Sequence, residues 1–179
     1  MKPIALMPAA KCIFAACLML LQNPPQQRYR NHIAPILRPL ANWIPLLRQT
    51  ARRYGIPSSL VLSLALVESD GNPAATSSAD AIGLLQVTPI AATQTNSPLG
   101  SVQANITAGI RYLRWAAHDT GTTLACLRRG PWANRACGWK TNCTLSVYNA
   151  GPMGGYQSGY VAAVRTIWPK IADALDQTS

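Results

Sequence analysis

The chain has 179 residues, with 16 Lys and Arg against 6 Asp and Glu and a formal net charge of +10. Hydrophobic residues make up 49% of it, enough for one core-bearing domain plus an appendage, and no periodic self-similarity suggests a solenoid. The charge favours polyanions such as nucleic acid, anionic lipid or an anionic wall polymer, but the Arg-Arg pairs at 52–53 and 128–129 are too short for a nucleic-acid motif.

The charge is unevenly spread. Residues 1–67 hold eight Lys or Arg and no acid, and the remainder holds eight basic and six acidic residues. Of five cysteines, Cys12 and Cys17 lie in the N-terminal apolar segment, and Cys126, Cys137 and Cys143 lie downstream. There is no CxxC pair and no Cys/His cluster, so no zinc or other metal site is expected. In an oxidising compartment two of the last three cysteines could bridge, and the sequence does not choose the pair.

Residues 1–21 read as a secretion signal or a marginal membrane anchor. Lys2 and Lys11 precede a short apolar run from Cys12 to Leu21, too short for a confident span. A lipidation box ending at Cys17 is a weaker fit. Residues 22–41 read as a Pro/Arg-rich linker, and the folded domain is expected over 42–179. Asn42 is a candidate cap for a helix through Trp43, Leu46, Leu47 and Ala51, ended by Gly55.

The next helix is central. Ser58 and Ser59 are N-cap candidates, and Leu60–Val67 is apolar apart from Ser63. The run ends at Glu68, the only glutamate in the chain, with Gly71 and Asn72-Pro73 as stop signals. A carboxyl in the last turn faces the negative end of the helix dipole and, among apolar neighbours, loses hydration. Both effects raise its pKa, as a proton donor near neutral pH requires. The plain alternative is a solvated helix-end residue.

A compact Gly83-Leu84-Leu85-Gln86 follows. Thr88-Pro89 predicts a cap and first helical position for a short helix through Ile90–Thr95. Val102, Ile106, Ile110, Leu113 and Ala117 recur at spacings of three and four and predict an amphipathic helix over Val102–Asp119. A short helix at Leu124–Leu127, a basic loop over Arg128–Asn142, a helical piece at Thr144–Ala150 stopped by Gly151-Pro152, and a last helix from Tyr160 complete the chain. Pro169 is expected to kink or divide that last helix. The predicted fold class is mainly α with little or no β.

Five motifs occur in order: Glu68-Ser69 with Asn72-Pro73, Ala75 and Ser77; Gly83-Leu84-Leu85-Gln86; Asn105-Ile106 with Gly109 and Tyr112-Leu113; Tyr148-Asn149-Ala150-Gly151; and Tyr160-Val161 with Val164. This order resembles the soluble-type lytic transglycosylase domain, a lysozyme-like fold that cleaves bacterial peptidoglycan. The similarity runs from about Trp43 to Trp168. Leu85 replaces the family's usual Met, Asp80 its usual Gly, and Gly71 a common aromatic.

The resemblance implies a lysozyme-like α-helical domain around a central helix ending at the catalytic acid. It implies non-hydrolytic cleavage of the MurNAc-β-1,4-GlcNAc bond to 1,6-anhydro ends, with Glu68 as acid and then base. Tyr148 would hold Glu68 through a hydrogen bond. Gln86, Ser69, Ser77 and Asn149 would be substrate contacts, with a structural role the alternative for Ser69 and Asn149. Gly83, Asn105 and Gly151 would be structural, with Asn105 a cap or helix-packing residue. Trp132 and Trp139 would stack on sugar or anchor their loop. No cofactor or metal is implied.

The expected partners are peptidoglycan strands and an envelope-spanning secretion, conjugation or phage apparatus, with no specific nucleic acid. The expected form is an exported monomer in the periplasm or cell envelope. One rival is a goose-type-like hydrolase, in which Asp70 or Asp80 would position water. Another is a non-catalytic glycan-binding scaffold of a secretion machine.

Overall fold

The computed structural model describes residues 34–118, 139–152, 154 and 156–176. A 3-10 turn at Pro35–Leu40 leads to α1 (Ile44–Arg53), α2 (Ser58–Ser69), α3 (Pro89–Gln94), α4 (Val102–His118), α5 (Trp139–Ala150) and α6 (Ser158–Asp176). Among the described residues, β pairing is confined to isolated bridges joining Thr76 to Ile82 and Ile82 to Val87. The mainly α expectation holds, and α6, α1 and the 3-10 turn pack against α2. The N-terminal signal or anchor segment, the helix expected at Leu124–Leu127, Cys126, Cys137, Trp132 and the Trp139 side chain lie outside the described residues.

The sequence of α2 explains its position. Leu60, Val61, Leu62, Ser63, Leu64 and Ala65 are all buried, so every face of the helix is covered, as for a helix apolar all round. Helix α6 lies along it, with α1 and the 3-10 turn on other sides. Ser63, 0% exposed, is satisfied within the helix by donating to the Ser59 carbonyl at 2.7 Å.

Pro57, not a serine, occupies the N-cap position of α2. Ser58 and Ser59 lie inside the first turn, where the Ser59 hydroxyl accepts from the Trp168 indole N–H at 2.9 Å. At the other end Asp70 and Gly71 adopt φ of 51° and 76°. Their N–H groups return to the Leu66 and Ala65 carbonyls at 2.9 and 3.3 Å, a left-handed closure that ends the helix just past Glu68.

Three boundaries differ from expectation. Residues 35–41, expected within a linker, belong to the folded unit: Leu37 and Leu40 are buried in its core. The 3-10 turn approaches α2 so closely that a Cβ at Gly71 would stand 2.7 Å from the Pro39 carbonyl oxygen. An aromatic at position 71 therefore has no room. Helix α5 begins at Trp139 rather than Thr144, because buried Cys143 and Leu145 and an Arg165–Asn142 hydrogen bond of 2.9 Å fix its first turns. Helix α6 runs undivided through Pro169.

Candidate active site

Glu68 leaves the C-terminal end of α2 and enters a groove of about 460 Å³. One wall is the segment carrying Ser77, Ala79, Ala81 and Gln86, and α3 contributes Ile90, Ala91 and Gln94. Tyr112 of α4 and the α5 terminus with Tyr148 and Asn149 close the other side. Burial pushes the Glu68 carboxyl up from 4.5 to about 7, and a hydrogen bond from Tyr160 works in the opposite direction. Loss of hydration thus dominates, and the acid form persists up to a pH of about 7, where acid and carboxylate coexist.

The tyrosine that holds Glu68 is Tyr160, not Tyr148. The Tyr160 hydroxyl donates to Glu68 Oε1 at 2.5 Å, from the first turn of α6. The Tyr148 hydroxyl donates instead to the Leu85 carbonyl at 2.7 Å. Tyr148 is buried, and desolvation followed by the nearby Glu68 charge raises its pKa well above the ordinary tyrosine value. It therefore stays a neutral donor that ties α5 to the Gly83–Gln86 turn, with its ring tilted against Tyr112 at 5.7 Å between centroids.

That turn is held by side chains from both directions. Gly83 and Gln86 have φ of 75° and 41°. Asn105 Oδ1 accepts from the Leu85 N–H at 3.1 Å, and its Nδ2 donates to the Ile82 carbonyl at 2.7 Å. Asn105 is buried, so it pins the turn from within α4 and does not reach the groove. A Cβ at Gly83 would stand 2.6 Å from the Asn105 side chain. Gln86 Nε2 donates to the Ala75 and Gly83 carbonyls at 3.1 and 3.0 Å. These bonds orient its amide at the groove wall and use its N–H donors, while the amide oxygen keeps its acceptor capacity.

The other proposed contacts separate. Ser77 lines the groove, and its hydroxyl accepts from the Ala79 and Ala81 N–H groups, both at 3.2 Å. Asn149 is exposed on the groove wall. Gly151, at φ 71°, ends α5 and also lines the groove. Ser69 does not line it: its hydroxyl reaches the Ala65 and Leu84 carbonyls at 2.9 and 3.0 Å, which ties α2 to the Gly83–Gln86 turn. Neither Asp70 nor Asp80 lines the groove. Both are exposed at positive φ, so among the described residues Glu68 is the only carboxyl on its wall.

Sequence reasoning assigned no role to Tyr160, Tyr112, Gln94 or Ile90, the last 79% exposed on the groove wall. The available signal for Tyr160 was its place at the head of the Tyr160-Val161 motif with Val164, which marks a terminal-helix match only. Among the described residues no group of three or more His, Cys, Asp or Glu side chains could hold a metal ion.

Comparison with known proteins agrees with this geometry. Residues 45–157 match the Transglycosylase SLT domain. Similar curated proteins share the name "Membrane-bound lytic murein transglycosylase C". That of Histophilus somni (strain 2336) is 44% identical over 82 residues, covering 39% of this chain and 23% of that protein. That of Glaesserella parasuis serovar 5 is 49% identical over 59 residues, covering 33% and 15%. That of Actinobacillus pleuropneumoniae serotype 5b is 55% identical over 47 residues, covering 26% and 13%. The chain thus aligns with less than a quarter of the length of each of these relatives. With the family match extending over most of the chain and the carboxyl, turn and tyrosines in place around one groove, the protein belongs to the Transglycosylase SLT domain family.

Proposed function

We propose that the chain is a peptidoglycan lytic transglycosylase, cleaving the MurNAc-β-1,4-GlcNAc bond without water. The observation that carries this reading is a single desolvated carboxyl, with pKa about 7, on a groove that shows no second carboxylate among its described lining residues. A two-carboxylate glycosidase needs a partner acid at a set separation. One carboxyl that gives a proton and then takes one back does not.

Glu68 protonates the glycosidic oxygen, and the bond to the MurNAc anomeric carbon breaks. The substrate's own 2-acetamido group supports the cationic centre, as in substrate-assisted glycosidases. Glu68, now a carboxylate, keeps the hydrogen bond from Tyr160, which offsets part of the cost of a buried charge. It then accepts the proton of the MurNAc C6 hydroxyl as that oxygen closes on the anomeric carbon. The products are a GlcNAc end and a 1,6-anhydro-MurNAc end, and Glu68 regains its proton.

The reading includes export to the cell envelope. The buried Cys143 is disulfide-bonded, which fits an oxidising compartment, and the relatives' names contain "membrane-bound". Among the described residues no helix is long and apolar enough to cross a membrane. Service to a secretion, conjugation or phage apparatus is a further part of the proposal, and undiminished secretion or transfer in a deletion strain contradicts it. The activity is tested by digesting purified cell wall with the wild type and a Glu68→Gln variant. The reading requires anhydro products from the first and none from the second.

A further inference from the structure

Beside the groove lies a second recess of about 630 Å³, between the ends of α1 and α3 and the outer face of α4. Its walls carry Arg111, Arg114 and Trp115 from α4, Tyr54 from the end of α1, and Gln94 and Asn96 from the end of α3. The two arginines are three residues apart on one helix and so present neighbouring guanidinium groups. Arg111 is partly buried, and its Nη1 donates to the Asn96 carbonyl at 3.3 Å. That bond fixes the guanidinium at the rim and leaves further N–H donors for a ligand. Among the described residues no acid lines the recess.

Two features join this recess to the groove. Gln94 lines both. Trp115 of the recess stacks on Tyr112 of the groove, with centroids 5.3 Å apart and planes inclined by 15°. The stacked pair therefore joins the two sites through α4, with the largely buried Tyr112 on the groove side and the half-buried Trp115 on the recess side. A paired guanidinium site beside aromatic rings suits a carboxylate on a flexible, partly apolar chain, since guanidinium binds carboxylates bidentately.

We infer that this recess is a subsite for the acidic stem peptide of the glycan strand lying in the groove, with Arg111 and Arg114 pairing its carboxylates and Trp115 and Tyr54 packing on its backbone and side chains. This rests on the proposed glycan activity. The stem peptide hangs from the lactyl group of the sugar, and at roughly 3.3–3.6 Å per extended residue a few residues suffice to pass from groove to recess. The lactyl carboxylate of a peptide-free strand offers the same chemistry on a shorter tether, so the two sources need separate arms in the test.

The first arm is calorimetric titration of the Glu68→Gln chain with free acidic stem peptide, and with the same peptide after its carboxylates are amidated. The second compares digestion of peptide-bearing strands with strands stripped of peptide by an amidase, using the wild type and an Arg111→Gln/Arg114→Gln variant. The subsite predicts binding of the acidic peptide, weakened about tenfold or more by amidation or by the double substitution. It also predicts a comparable loss of kcat/KM on peptide-bearing strands, with the rate on stripped strands unchanged. Equal binding of acidic and amidated peptide overturns it, as does a double variant that slows both strand types alike. Peptide binding as stated by a chain that digests neither strand supports the subsite and contradicts the proposed activity.

Discussion

The chemistry turns on how Glu68 is solvated. Burial raises its pKa to about 7, against the opposing pull of Tyr160, so the acid form is present below that pH and lost above it. The rate of strand cleavage is therefore expected to fall as pH rises through about 7, measured as a kcat/KM profile on the free enzyme. Removing the Tyr160 hydroxyl removes the influence that lowers the pKa. Tyr160→Phe should move the falling limb to higher pH and reduce kcat about tenfold, because the carboxylate formed in the first step loses its donor.

The same shift has a stability consequence. The folded-state pKa of Glu68 lies above its unfolded value, so the native state is favoured while the carboxyl stays protonated. That advantage is lost as pH rises from 4.5 through about 7. Above pH 7 the folded protein carries a poorly hydrated charge. Glu68→Gln is expected to inactivate the enzyme yet stabilise it by about 1–3 kcal/mol at pH 8, allowing for the groove's solvent, with little effect near pH 4.5. Thermal melts of the two proteins across this range provide the check.

Helix α2 shows what was legible in the sequence at the level of elements. An apolar run with one serine, ended by Glu68 and a turn, identifies a core helix that delivers a carboxyl, and the structure encloses that helix on every side. The Thr88 cap was equally legible, with its hydroxyl accepting from the Ala91 N–H at 3.2 Å, because its bond is local. The partner of Glu68 was not. Tyr148 and Tyr160 both approach the carboxyl, and the choice between them depends on Tyr148 being engaged by Leu85, a contact set by how α4, α5 and the turn pack.

Gly109 is one tight point of that packing. A Cβ there would stand 2.6 Å from Leu85 Cβ and 3.0 Å from the Tyr148 hydroxyl. Alanine gains at most about 1 kcal/mol in helix propensity, while overpacking costs about 1–3 kcal/mol, so the clash prevails. Gly109→Ala should destabilise the protein by about 1–2 kcal/mol in chemical denaturation. It should also lower activity by displacing the turn that carries Gln86.

Across the molecule, a layer of packed helices carries both groove and recess, with Gln94 at the end of α3 lining the two. The 3-10 turn, read from sequence as linker because of its prolines and arginine, is part of that layer: Leu40 is fully buried and Gly71 admits Pro39 against the end of α2. Proline content describes local backbone stiffness, whereas the burial of Leu37 and Leu40 depends on a surface formed by distant residues. Leu40→Ala is expected to cost about 2–5 kcal/mol and, by loosening the end of α2, to reduce activity. Equilibrium unfolding measures the first effect and wall digestion the second.

The central claim is that one carboxyl cleaves the glycan without admitting water to the product. Digestion of purified peptidoglycan in ¹⁸O-labelled water, followed by mass spectrometry of the released fragments, tests it directly. The account predicts 1,6-anhydro-MurNAc ends that carry no label, and their absence with Glu68→Gln. Labelled reducing MurNAc ends from the wild-type enzyme would contradict it.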